Sequence, residues 1–134
     1  GLQHTLILRE DGTVWTSGYN TYGQLGDGTT TNSNKFAQVK LNDNGEYLNN
    51  IIAITAGSYT SYALSADGTV YAWGYNNNGQ LGNNTSNNSS FPVKVKNVSN
   101  IMQIDAGEYY LAMLDAGGSV WSVGKNNGNF ERLL

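Results

Sequence analysis

The chain repeats itself, and this self-similarity limits its fold more than any other feature of the sequence. Aligning Gly1, Gly57 and Gly107 brings a second set of glycines into step (Gly12, Gly68, Gly118) and then a third (Gly18, Gly74, Gly124). Between them the copies read HTLILREDGTVWTSG, TSYALSADGTVYAWG and YLAMLDAGGSVWSVG. The first two continue in register as YNTYGQLGDGT and YNNNGQLGNNT. The segments that lead into the second and third copies also match, as IIAITAG and IMQIDAG. Residues 1–134 therefore form a single domain of about two and a half repeats, starting at 1, 57 and 107.

Each unit reads as β structure. Asp11-Gly12, Asp67-Gly68 and Gly117-Gly118 lie between short apolar runs, a pattern that predicts hairpins closed by type I′ turns. The flanking segments are rich in Val, Ile, Trp and Tyr, which suit a pleated surface. They do not alternate cleanly: Val70-Tyr71-Ala72-Trp73 and Leu6-Ile7-Leu8 carry apolar groups on both faces. A strand that is apolar on both faces is covered on both faces. Blades stacked side by side around an axis meet that demand. Frequent Gly and Asn, with no sustained period of 3.6, argue against helices. Two further strands are expected, with Phe36-Ala37-Gln38-Val39-Lys40 matched to Phe91-Pro92-Val93-Lys94-Val95 and Pro92 at the start of its strand. Phe130–Leu134 reads as a third copy, joined through Lys125–Asn129. The expected fold class is all-β, a β-propeller fragment of antiparallel four-stranded blades. By strand count the chain opens with the second half of one blade and closes on one strand of another.

The pattern G-x-x-H-T-L-x-L-x-x-D-G-x-V-x-x-x-G-x-N-x-x-G-Q-L-G resembles the repeat of the regulator-of-chromosome-condensation family, a seven-bladed β-propeller. Residues 1–28 match it closely, 57–83 nearly as well and 107–124 in outline. The sequence departs from the pattern at Thr60 and Tyr110, where the repeat has the histidine seen as His4. The third unit also lacks the Gly-Gln-Leu-Gly loop. Seven blades of about 50 residues would need roughly 350, so the resemblance implies a part of a larger ring. An open arc leaves an apolar sheet face at each end, and self-association of such a piece is the expected consequence.

Composition excludes several functions. The net charge is −3, and the few Lys and Arg are scattered, so no basic stripe exists to meet a nucleic acid. No window approaches the ~20 apolar residues of a membrane helix, so no membrane span is expected. With no cysteine and one histidine, the sequence offers neither a thiolate nor the ligands of a zinc site. No catalytic residue, cofactor or metal ligand is assigned, and the chain is not expected to be an enzyme. The resemblance makes His4 a structural hydrogen bonder rather than a general base, which would need convergent partners. Gly23-Gln24-Leu25-Gly26 has the wrong glycine order for a dinucleotide loop. It reads as a tight turn with Leu25, or Leu81 in the second copy, plugging the core. Lys40–Gly45 lacks the first acidic ligand and terminal Glu of a calcium loop and reads as a surface turn.

What remains is aromatic. Trp15, Trp73 and Trp121 fall within strands and read as packing. The binding candidates follow the first repeat glycine (Leu2, Gln3, Ser58, Tyr59, Glu108, Tyr109, Tyr110) or stand in the Gly-Tyr-Asn loops (Tyr19, Tyr22, Tyr75). The resemblance places the first group at one propeller face, where a plant photoreceptor relative carries interface residues. Tyrosine gives broad, fairly rigid contact with a polar tip, which suits a protein partner, although the same rings could simply cap blade ends. The function expected is a non-catalytic protein-interaction scaffold. Abundant Asn, Ser and Thr lean it towards a bacterial surface or secreted protein. The rival readings are a guanine-nucleotide exchange factor for a Ran-like GTPase, an inhibitor of an extracellular enzyme, and a glycan-binding module.

Overall fold

The computed structural model describes residues 1–125 and 131–132, and every regular element in it is a strand. The first sheet contains β1 (His4–Leu8), β2 (Val14–Gly18) and β3 (Ser33–Gln38). The second contains β4 (Ile51–Ala56), β5 (Thr60–Ser65), β6 (Val70–Gly74) and β7 (Ser89–Lys94). The third contains β8 (Ile101–Ala106), β9 (Tyr110–Asp115), β10 (Val120–Gly124) and β11 (Glu131–Arg132). All pairings between strands are antiparallel, and neighbours in sequence are neighbours in each sheet. The Ile-rich linking segment pairs forward, with the hairpin that follows it, rather than with the strand before it. Blades are therefore out of phase with sequence repeats. The chain opens with three strands of a blade and closes with four, not with half a blade and a single strand as the count from sequence expects. Of the expected last strand, Glu131–Arg132 pairs with β10; Phe130, Leu133, Leu134 and 126–129 lie outside the described residues.

Three local expectations are corrected. The hairpin turns are not type I′, because only the glycine has positive φ (Gly12 81°, Gly68 85°, Gly118 88°). Gly12 N–H donates to the Arg9 carbonyl while Arg9 N–H donates to that of Thr13. This is a type I turn followed by a left-handed glycine bulge. Asp11 Oδ1 accepts from both the amide and hydroxyl of Thr13, which explains the Asp before the glycine. Second, the outer strands match one residue away from the expected alignment. Ser33 and Ser89 pair with Gly18 and Gly74, so Val39 corresponds to Val95, and both are buried. A slip of one residue exchanges the two faces of a strand. Third, Pro92 lies inside β7 rather than at its start. It is tolerated because β7 is the edge of its sheet and its pairing with β6 is irregular between Ala72 and Gly74.

The sheets nest face to face. Leu6, Leu8 and Val14 of the first pack against Ile54, Ala63, Tyr71 and Trp73 of the second, with Val39, Leu48 and Ile51 completing that core. The other face of the second sheet presents Tyr62, Leu64, Val70 and Ala72 to Leu111, Met113, Trp121 and Val123 of the third. All six residues of β5 are buried in consequence. Equivalent positions reveal the order of stacking. Val14 and Val70 are 0% and 1% exposed, each facing the next sheet, whereas Val120, facing no successor, is half-buried.

Backbone hydrogen bonds stitch neighbouring sheets at both ends. At one end, the Gly12 carbonyl accepts from Ile51 N–H, and the Gly68 carbonyl from Ile101 N–H. At the other, Leu2 N–H donates to the Ser58 carbonyl and Ser58 N–H to that of Glu108. The first contact adds to the need for glycine that the positive φ of the turn already sets. A Cβ on Gly68 would lie 2.8 Å from Asn100 Cα, while one on Gly118 would meet nothing within 4 Å.

His4, 4% exposed, ties the first sheet to the second. Ser61 Oγ donates to the Gln24 carbonyl at 2.7 Å, so His4 Nε2 is the donor in its 3.0 Å contact with Ser61 Oγ. Nδ1 is buried without a protein partner, and a second proton there would have no acceptor. Burial, the largest cause, lowers its pKa to about 4.

Three outcomes follow from this packing. Gly118→Ala is expected to cost about 1–2 kcal/mol, the ordinary penalty for a side chain at positive φ, and Gly68→Ala distinctly more, since the next blade also blocks it; chemical denaturation of the two variants compares them directly. His4 is neutral in the folded chain at pH values where the unfolded chain is already protonated. Stability should therefore be intact above pH 6.5 and decline by up to about 3 kcal/mol as the pH falls towards 4. Melting curves at successive pH values should show this decline, and His4→Gln should reduce it. Finally, the outward faces of the terminal sheets are open: Ile7 is 41% exposed on the first, where its counterpart Ala63 is fully buried, and Val120 is only half-buried on the third. Light scattering during size-exclusion chromatography should accordingly detect association that grows with concentration.

Candidate functional site

The end of the sheets where β1, β5 and β9 begin carries the aromatic residues singled out from sequence. Their placement starts with the glycines that close β2, β6 and β10, at φ 113°, 106° and 113°. A Cβ on Gly74 would sit 2.5 Å from the Tyr59 carbonyl oxygen. Without one, the chain turns tightly enough for Tyr75 N–H to reach that carbonyl at 2.9 Å. The same bond joins Tyr19 N–H to the Gln3 carbonyl and Lys125 N–H to that of Tyr109. Each blade thus sets the residue after its third repeat glycine beside the second residue after its first.

In the middle blade both residues are tyrosines, and a third arrives from its neighbour. Tyr22 lies in the loop between β2 and β3, which is held rigidly. Asn20, fully buried, accepts from Leu25 N–H through Oδ1 and donates through Nδ2 to the carbonyls of Thr29 and Thr31. Gln24 Oε1 accepts from Tyr22 N–H. Leu25 is buried at the loop's tip, and Leu81 likewise in the second loop, as expected. A Cβ on Gly23 would fall 2.7 Å from Ser90 Cα, so the loop of one blade lies directly against the outer strand of the next. Asn76 and Gln80 repeat the arrangement with Leu81, Thr85, Asn87 and Asn78.

Tyr22 becomes the hub of a four-ring cluster. Its centroid lies 4.7 Å from that of Tyr75, 5.2 Å from Tyr59 and 6.3 Å from Tyr19, all in edge-to-face geometry. Tyr19–Tyr59 at 6.0 Å and Tyr59–Tyr75 at 6.2 Å close the group. Desolvation first, then the neighbouring tyrosines, raise the Tyr22 phenol above its usual range. In the third blade the position of Tyr75 is taken by Lys125, whose ammonium lies 5.2 Å from the Tyr109 ring centroid.

The structure thus brings Tyr19, Tyr22, Tyr59 and Tyr75 together, all half-buried. Tyr109 forms a separate ring–cation pair. Leu2, Gln3, Glu108 and Tyr110 are exposed around this end, with Leu2 at 65%. Ser58 is buried, with both of its backbone polar groups bonded to other blades. Shallow clefts flank the cluster: one of about 570 Å³ lined by Gln3, Tyr19, Asn32, Ser33 and Asn34, another of about 480 Å³ by Glu108, Tyr109, Tyr110 and Lys125. Sequence reasoning overlooked Asn20 and Asn76, whose recurrence immediately after Gly-Tyr was the available signal. Charge is sparse here. Of the loops at this end, only Asp27, Glu108 and Lys125 carry charged side chains, while Arg9, Glu10, Asp11, Glu46 and Asp67 belong to the loops at the opposite end, and Lys40, Asp43 and Lys96 to parts of those loops that meet the long loops at Gly26, Gly28 and Gly82. Among the described residues, no three His, Asp or Glu side chains are grouped to hold a metal ion, and no helix is long and apolar enough to cross a membrane.

Comparison with known proteins agrees with this architecture. The Regulator of chromosome condensation (RCC1) repeat matches residues 11–64 and 67–114. The human X-linked retinitis pigmentosa GTPase regulator is 38% identical over 95 residues, which cover 71% of this chain and 9% of that protein. The ultraviolet-B receptor UVR8 of Arabidopsis thaliana is 30% identical over 99 residues, covering 74% and 22%. The human probable E3 ubiquitin-protein ligase HERC3 is 38% identical over 96 residues, covering 72% and 9%. The chain thus spans a small part of the relatives it matches. Human WBSCR16 superposes with a TM-score of 0.86 over the whole chain and 36% of its own, and yeast RCC1 (Prp20), solved bound to Kap60, with 0.74 over 91% and 30%; both are 24% identical. With its blades, its turn glycines and its Gly-Gln-Leu-Gly loops accounted for, the chain belongs to the RCC1 repeat family.

Proposed function

We propose that the chain is a non-catalytic part of a larger propeller that binds a protein partner through its tyrosine-rich end. The observation that carries this reading is the separation of chemistry between the two ends. Protein interfaces are enriched in tyrosine and depleted of charge at their centres. The end bearing Tyr19, Tyr22, Tyr59 and Tyr75 has that composition, while the opposite end carries most of the loop charge. The rings are held in fixed positions by the glycine turns and by Asn20, so binding would order few additional side chains. Names among the relatives include a GTPase regulator and a ubiquitin ligase, and yeast RCC1 was solved in complex with Kap60, which supports protein binding as the family's common theme. Exchange of guanine nucleotides on a Ran-like GTPase is the second reading, favoured by that first name alone. A place at a bacterial surface rests on the Asn-, Ser- and Thr-rich composition.

The discriminating experiment uses a Ran-like GTPase loaded with fluorescent GDP. The scaffold reading expects unchanged nucleotide release when the full-length propeller is added, and an acceleration would replace it with the second reading. For any partner whose affinity is measured by calorimetry, Tyr59→Ala and Tyr75→Ala should each weaken binding by about tenfold or more, the effect of an anchor at an interface centre. Tyr47→Ala, at the opposite end, should leave it unchanged.

A further inference from the structure

The tyrosine cluster also has a chemistry of its own, independent of whether a partner docks on it. Tyr22 belongs to the first blade's loop, and Tyr59 and Tyr75 to the second blade, so the shortest ring contact in the group spans two blades. Tyr22 is held at its backbone by Gln24, and its loop is pressed against Ser90. Two phenols fixed at 4.7 Å between centroids need no diffusional search to react with one another. The rings are half-buried, within reach of a small oxidant, and water at the surface can accept the protons they release. The chain has no cysteine, so no disulfide can join its blades.

We propose that Tyr22 and Tyr75 form a site of oxidative cross-linking, in which a dityrosine bond joins the first blade to the second. The oxidant is hydrogen peroxide acting through a haem peroxidase. Each of the two phenols loses one electron and one proton to give a tyrosyl radical. A carbon–carbon bond forms between their ortho positions, and tautomerisation restores both aromatic rings and both hydroxyls. The two electrons and two protons released reduce one peroxide to two waters. Tyr59, 5.2 Å from the same hub, is the alternative partner; the remaining contact between the two blades, Tyr19–Tyr59 at 6.0 Å, is longer, so Tyr22 is the ring assigned to the bond.

The test treats dilute protein with horseradish peroxidase and hydrogen peroxide, with free tyrosine in a parallel reaction to verify that coupling occurs. Trypsin separates Tyr22, in the peptide 10–35, from Tyr59 and Tyr75, in 41–94. The expected result is a monomer lighter by two hydrogens, the blue fluorescence of dityrosine, and a linked pair of those two peptides. Tyr22→Phe should abolish the linked pair, Tyr47→Phe should preserve it, and unfolding in urea before oxidation should suppress it. Melting curves of the untreated variants establish that each is folded. Coupling only between molecules, an undiminished yield in Tyr22→Phe, or tyrosine oxidation without the linked peptides would each overturn the assignment.

Discussion

The covering of both faces of the second sheet is the constraint on which the structure depends. β5 has no exposed residue, and each of its faces belongs to a different apolar cluster. Leu64 and Tyr62 point to one neighbour while Ala63 points to the other, so neither cluster could form without a sheet on that side. Burying apolar side chains at about 25 cal/mol per Å² favours each docking step, and the backbone bonds at both ends fix its angle and register. Stability in such an arrangement is shared between neighbours rather than held by one central core. The same sequence position accordingly differs in burial from blade to blade, as Val14, Val70 and Val120 demonstrate.

Most of this architecture was legible because the repeat encodes it several times. The glycines at 12, 68 and 118 marked the hairpins, and apolar residues on both faces of Val70–Trp73 implied sheets on both sides. What escaped the sequence was geometry below the level of the repeat. Asp-Gly is compatible with two kinds of hairpin turn, and only the φ of Asp11 and Asp67 separates them. The outer strands misaligned because Phe36 and Phe91 suggested a match that the serines at 33 and 89 contradict. Each of these serines bonds the carbonyl two residues on, a local signature that repeats where the aromatic residues do not. The strand count failed because a linking segment can pair in either direction, and pairing is a long-range fact.

The site was legible to a lesser degree. Ten residues were named from sequence, and four of them, Tyr19, Tyr22, Tyr59 and Tyr75, converge in one aromatic group. Nothing in the local sequence of Tyr22 says that it meets Tyr75, because that contact depends on a loop of one blade lying over the next. Ser58 was named for its position in the repeat, but that position is where the chain crosses closest to its neighbours, and the residue is buried there.

The links from Leu2 to Ser58 and from Ser58 to Glu108 are made by peptide groups alone. An amide and a carbonyl are present whatever the side chain, so three residues as unlike as leucine, serine and glutamate fill one role. The next position along (Gln3, Tyr59, Tyr109) likewise contributes only its carbonyl to the turn that follows. Where the side chain is exposed, as at Leu2, Gln3 and Glu108, substitution therefore leaves these links intact, so the chemistry of this rim can change without changing how the blades are joined.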